Sequence, residues 1–286
     1  MKKLVLSLTL IIGLLSLTYA QDDGEPLTSK KGFIVLPEAG DYAIGVDAAP
    51  FITLFGNLAA INNGGATYNA NFNFLTTNNT IYGKYFVDAN TAYRGKIRIG
   101  MNNVSNGFYV NDDSDTVSTV PTYVEDVKKT STKTIMLGAG MEKRRGHGRL
   151  QGFYGAEALI SFAGGTKDVY EYGNAITADN TNPTNAFGFF GARTLEEKTG
   201  STLSIGARAF AGVEYFILPK ICLGGEFGWG ILFSKTGEGN LKQEQWDGAT
   251  STIVETETPT GGSGQFLIDT DNNTLVTGTV FLLFHF

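Results

Sequence analysis

The sequence predicts an all-β chain: a transmembrane up-and-down antiparallel β-barrel, most simply of eight strands, with ten as the alternative count. Three observations predict it. Runs of about ten residues alternate between large apolar side chains and small or polar ones, the period of a strand and the length that crosses a bilayer when tilted. Short and long connections alternate along the chain. The chain finishes on "TGTVFLLFHF", an apolar end where a water-exposed domain is normally most solvated. Helical periodicity is absent, and 37 glycines with 12% aromatics fit strands separated by polar connections.

Residues 1–20, "MKKLVLSLTLIIGLLSLTYA", read as a signal peptide. Lys2 and Lys3 precede an apolar run from Leu4 to Leu17, and small residues flank Tyr19 before Gln21. That run is short of the roughly 20 residues a membrane-spanning helix needs, so cleavage is expected. No Cys follows the cleavage point, which excludes the lipid-anchored variant of such a leader. Residues 21–40 are then an N-terminal periplasmic segment and 41–286 the barrel.

The first strand, 41–56, contains Pro50, which removes a ladder donor and marks a bulge or the point of exit from the membrane. Strands 80–87 and 91–102 form a hairpin about Asp88, Ala89 and Asn90. Tyr93, Gly95, Ile97, Ile99 and Met101 point outward there, and Ala92, Arg94, Lys96, Arg98 and Gly100 inward. Strand 133–143 leads through the short connection "RRGHGR" (Arg144 to Arg149) into 150–163. In that strand Tyr154, Ala156, Ala158, Ile160 and Phe162 oppose Gln151, Phe153, Gly155, Glu157 and Ser161. Strand 203–215 follows, then "ILPK" (Ile217 to Lys220), then 220–233. The last of these puts Leu223, Phe227, Trp229, Ile231 and Phe233 on one face, against Cys222, Gly224, Glu226, Gly228 and Gly230. Small residues on that second face suit the tightly curved inner wall of a barrel. The eighth strand, 274–286, aims Val280, Leu282, Phe284 and Phe286 at lipid and Thr277, Thr279, Phe281, Leu283 and His285 inward.

An eight-stranded barrel is just wide enough inside for side chains. This register fills it with Lys84, Arg94, Lys96, Arg98 and Arg208 against Asp47, Glu142, Glu157, Glu214 and Glu226. Unpaired charges in such a space cost several kcal/mol each, so five of each sign predict a salt-bridge network that plugs the lumen rather than an ion path.

The four long intervals, about 57–79, 103–132, 164–202 and 234–273, take up roughly half of the mature chain, far more than turning it requires. They read as extracellular loops. Tyr109, Tyr123, Tyr170, Tyr172, Phe187, Phe189, Phe190 and Trp246 stand in otherwise polar stretches there and point to packed structure or a contact surface, with hairpin extension of the strands accounting for part of their length.

A final strand of alternating aromatics ending in Phe286 resembles the signal by which outer-membrane barrel proteins address the barrel-assembly machinery, with Phe284 and Phe286 as its key residues. The eight-strand layout, with "YGKYFVDANTAYRGKIRIG" (Tyr82 to Gly100) as a hairpin, resembles the small OmpA/OmpX-like outer-membrane barrel superfamily over about 41–286. The resemblance implies a bacterial outer-membrane protein with both termini periplasmic, in contact with outer-membrane lipid and lipopolysaccharide. The chain stops at the last strand, so the peptidoglycan-binding domain and its cell-wall tether are not expected.

Other classes are excluded by composition. Removing Lys2 and Lys3 with the leader leaves 20 basic against 28 acidic residues, too acidic for nucleic-acid binding. One cysteine, Cys222, permits neither an internal disulfide nor a multi-cysteine metal site. Small-barrel lipid A hydrolases and acyltransferases use a histidine near the outer rim, but His147 and His285 both fall at the periplasmic end, so no enzyme is expected. "GGSGQ" lacks the last glycine of a nucleophile elbow. "DTDNNT" (Asp269 to Thr274) lacks the sixth-position glycine of a calcium loop and has Val280 in place of its bidentate Glu. Neither cofactor nor metal is expected. The reading is an envelope-integrity or surface-interaction protein acting through its loops on an unknown extracellular ligand or surface partner. The alternative is a narrow channel or carrier for small or apolar solutes.

Overall fold

A computed structural model of the chain describes residues 26–48, 80–115, 120–269 and 279–286. The expected signal peptide, Pro50, the 57–79 interval and the side chain of Asp47 lie outside the described residues. Thirteen strands and no helix occur among those described. They run β1 (Tyr42–Asp47), β2 (Ile81–Asp88), β3 (Thr91–Asn111), β4 (Tyr123–His147), β5 (Leu150–Ala163), β6 (Lys167–Glu171), β7 (Arg193–Lys198), β8 (Thr202–Leu218), β9 (Ile221–Thr236), β10 (Gly239–Asp247), β11 (Thr252–Thr260), β12 (Ser263–Asp269) and β13 (Thr279–His285).

Eight of these close on themselves, antiparallel throughout: β1-β2-β3-β4-β5-β8-β9-β13 and back to β1. The alternation in the sequence explains both the ring and its stagger. One hydrogen-bonded row passes from Leu150 through Tyr215, Leu223, Leu282, Val46, Ile81, Ile97 and Leu137, and returns to β5 at Ile160, ten residues further along. Every member of that row is a large apolar residue on the outer face. A one-residue slip anywhere would turn the row inward and the charges outward, so the register is strongly specified. On β9 the outward face runs from Leu223 through Phe227, Trp229 and Ile231 to Phe233, ten residues further along, without a charged side chain. Ten residues at about 3.3 Å, tilted about 40°, climb about 25 Å.

The three short turns and Phe286 share one end of the ring. The turn expected over Arg144 to Arg149 is tighter than the sequence reading: β4 continues to His147, paired with Leu150, and only Gly148 and Arg149 turn the chain. Residues 26–41 fold back over this end as a small hairpin. Thr28 bridges Ile34, Val35 N–H donates to Leu27 O (2.8 Å), and Lys220 N–H donates to Val35 O (3.0 Å). Val35 is fully buried in one cluster with Phe86, Phe216, Cys222 and Leu283.

At the other end, three of the long intervals, expected as loops with hairpin extension of the strands, are largely strand. β3 and β4 stay paired from Thr91–Lys143 up to Asn111–Tyr123, so 103–132 is largely the tip of one long hairpin. Where β5 stops at Ala163, β6 takes its place beside β4, pairing Val127–Ser131, and β7, β10 and β11 continue the sheet outward. β12 extends β9. β6, β7, β10 and β11 escaped the sequence reading because their alternation is polar on both faces; β12 escaped although its Phe266 and Ile268 pair with Phe233 and Ile231 of β9.

Candidate functional site

Six strands of the ring aim charged side chains at one another. Lys84 on β2 donates from Nζ to Glu142 Oε1 of β4 (2.8 Å) and to Glu214 Oε1 of β8 (2.7 Å). Arg94 on β3 grips Glu226 of β9 with two N–H groups, at 2.8 and 3.2 Å, and its Nε lies 3.3 Å from Glu157 Oε2 of β5. Arg208 on β8 bridges Glu226 (2.6 Å) and Glu157 (3.0 Å), while Lys96 reaches Glu157. All eight residues were candidates from the sequence. Of the other two, Arg98 is half-buried and makes none of the ion pairs among the described residues, and the Asp47 side chain is not described.

The reading missed Arg144, which pairs with Glu214 and is buried. It was assigned to a turn. Extending the alternation two residues past Glu142 places Arg144 on the same inward face, so the signal was present.

The lattice therefore joins five cations, Lys84, Arg94, Lys96, Arg144 and Arg208, to four carboxylates, Glu142, Glu157, Glu214 and Glu226. Glu142 and Glu214 are fully buried. Aromatic rings line it: Arg94 lies 4.0 Å over Phe210, Lys84 4.7 Å over Phe153 and Arg144 5.0 Å over Phe86, contacts that favour a desolvated cation. Glycines on the inner wall make room for it. A methyl at Gly228 would lie 2.7 Å from Arg208 Nε, and one at Gly224 3.0 Å from Glu214 Cγ. The inward glycines of β9 thus seat the lattice as well as permit curvature.

The outer sheet has its own core. Phe187 stacks edge-on with Phe108 (5.7 Å), Tyr170 (5.0 Å) and Tyr172 (5.8 Å). The segment between β6 and β7 is pinned by side-chain acceptors: buried Asp126 takes N–H bonds from Gly173 and Ala186, both 2.8 Å. Asp113 takes them from Asn180 Nδ2 (2.8 Å) and Thr184 N (2.6 Å). Arg193 joins Glu244 (2.6 Å) and the carbonyl of Asn174 (2.7 Å), and lies 4.2 Å over Tyr172. Burial and the Asp126 charge push the Tyr172 phenol up, outweighing Arg193. Tyr109, Tyr123 and Phe190 stay exposed. The aromatics singled out from sequence divide accordingly into packed (Tyr170, Tyr172, Phe187, Phe189), half-buried (Trp246) and presented (Tyr109, Tyr123, Phe190).

No known family model matches the chain, and no curated protein matches it.

Proposed function

We propose that the chain is an integral outer-membrane β-barrel protein of the small OmpA/OmpX-like kind, its lumen plugged by side chains, acting in envelope integrity or surface interaction through its extracellular sheet. One observation carries this reading: the ring has a charged, paired interior and an apolar exterior about 25 Å tall, the inverse of a water-soluble sheet. Exposed Ile97, Leu137, Ile160, Ile205, Phe227, Trp229 and Phe233 form a patch far beyond what soluble monomers expose. Tyr42, Tyr85 and Tyr93 are neighbours on adjacent strands toward the turn end, the position of an interfacial aromatic girdle.

The turn end is then periplasmic, with the 26–41 hairpin against it, and the β3–β4 tip and the β6–β7–β10–β11 sheet stand outside the cell. Phe284 and Phe286 serve as the assembly signal, and lipid and lipopolysaccharide cover the band. A pinned, aromatic-bearing outer sheet is a better contact surface than mobile loops, because its ordering cost is met before any partner binds.

Single cysteines test the orientation, since native Cys222 is buried. With a membrane-impermeant maleimide on intact cells, Ser114→Cys is labelled and Ala89→Cys is not until the outer membrane is opened. Labelling at position 89 in intact cells overturns the arrangement.

A further inference from the structure

The lattice ends, toward the turns, in three buried donors of metal-ligand type. A carboxylate oxygen of Glu214, Cys222 Sγ and a ring nitrogen of His285 lie within 4.8 Å of one another. Register explains the convergence: Cys222 pairs with Leu283 on β13 and Phe216 on β8, so His285 and Glu214, one inward step away on either side, flank the thiol.

His285 is held like a metal ligand. Its Nδ1 is 3.0 Å from the carbonyl of Lys220, which also accepts the His285 backbone N–H at 2.8 Å. A carbonyl can only accept, so Nδ1 bears the proton and Nε2 carries a lone pair. Nε2 is buried with no hydrogen-bond partner. Lys220 presents that carbonyl from a left-handed backbone, φ 61°, a conformation costly for a non-glycine residue and concentrated at functional sites. Phe86 and Phe216 flank the imidazole at 5.4 and 5.3 Å.

We infer that Cys222 and His285 bind one soft monovalent metal ion, copper(I), between Sγ and Nε2. Glu214 is already committed to Lys84 and Arg144 and also accepts from the Cys222 thiol, a bond that ends when the sulfur gives up its proton, so the donors left for a metal are one sulfur and one nitrogen. A structural zinc site needs four ligands, whereas copper(I) is satisfied by two and is selected by thiolate sulfur. Charge points the same way. The thiol S–H bond breaks, an S–Cu bond forms and the proton leaves to solvent, so the local charge is unchanged. Zinc would add a further positive charge beside Lys84 and Arg144. This site does not depend on the membrane reading.

The test uses the full mature protein, folded in detergent, titrated anaerobically with copper(I) against a chromophoric chelator, and the metal's X-ray absorption. One copper per chain is expected, with one proton released and one sulfur and one imidazole nitrogen as neighbours. Cys222→Ser and His285→Gln, shown to be folded by far-ultraviolet circular dichroism and a cooperative thermal transition, lose the copper. A folded wild type that takes none, a folded Cys222→Ser that keeps it, or zinc binding as well as copper overturns the proposal. Should the variants fail to fold, the absorption spectrum of the wild type decides: shells of oxygen and nitrogen without sulfur sink it.

Discussion

At the residue scale the lattice makes unequal demands on its members. Glu226 answers both Arg94 and Arg208, so Glu226→Ala leaves two confined guanidinium groups short of a partner. Breaking buried pairs in this way costs about 3–5 kcal/mol. The urea unfolding midpoint of the detergent-folded protein should fall accordingly, and Glu226→Asp, which keeps the charge, should fall less; equal midpoints would show that the pairs contribute nothing. Glycine substitutions offer a second comparison on opposite faces of the wall. Gly228→Ala drives a methyl against the Ala209 carbonyl oxygen (2.5 Å) and Arg208 Nε (2.7 Å) and should cost about 1–3 kcal/mol. Gly83→Ala, outward with nothing within 4 Å, should be nearly neutral in the same measurement. Most of the lattice was legible because parity alone, read from a strand whose apolar face is plain, assigns every charge a side. Arg144 escaped because a strand end is the least certain part of such a reading, and Arg98 was included because parity gives the side but not the height at which partners meet.

At the element scale the sequence was informative only where one face had to be apolar. Within the band, β5, β8 and β9 announce themselves. Beyond it, β10 and β11 read as loops, since strands such as "TIVETETPT" are polar on both faces and their pairing is set by neighbours already in place. The pinned segment between β6 and β7 was equally invisible, because Asp126 and Asp113 act through backbone donors some 50 to 70 residues away. Asp126→Ala removes the acceptor of two N–H groups, a loss of about 1–3 kcal/mol where the donors stay buried. Limited proteolysis should then cut within 174–192 while the ring survives intact. Asp113 adds a pH dependence. Partial burial opposes its ionisation, but the Thr184 and Asn180 bonds outweigh this and hold the carboxyl below its usual range. A depressed folded value means the stabilisation is complete above the unfolded value, about 3.9, and is lost as pH falls through the folded one. Pepsin at about pH 2 should therefore open this segment faster than at about pH 5, relative to its activity on an unfolded control. Asp113→Asn, which carries no charge, should flatten that ratio.

At the scale of the whole molecule, two devices could each close the ring, and they make different predictions. The 26–41 hairpin seats Val35 over the turn end, while the lattice crosses the middle from β2, β3 and β4 to β5, β8 and β9. On the proposed reading eight strands leave an interior no wider than its side chains, so the lattice alone should block ions and the hairpin should only cap it. In a planar bilayer the wild type should show no steady conductance. Deleting 26–35 should leave it closed, because the ion pairs remain. Glu226→Ala should introduce leak even with the hairpin present, because water can then enter beside Arg94 and Arg208 and the paired charges no longer fill the section. If the deletion conducts and Glu226→Ala does not, the cap is the gate, and the alternative of a narrow channel becomes the better account. A steady ohmic current in the wild type, unchanged by either alteration, would mean that ions pass beside the lattice and would remove the argument for a plugged lumen.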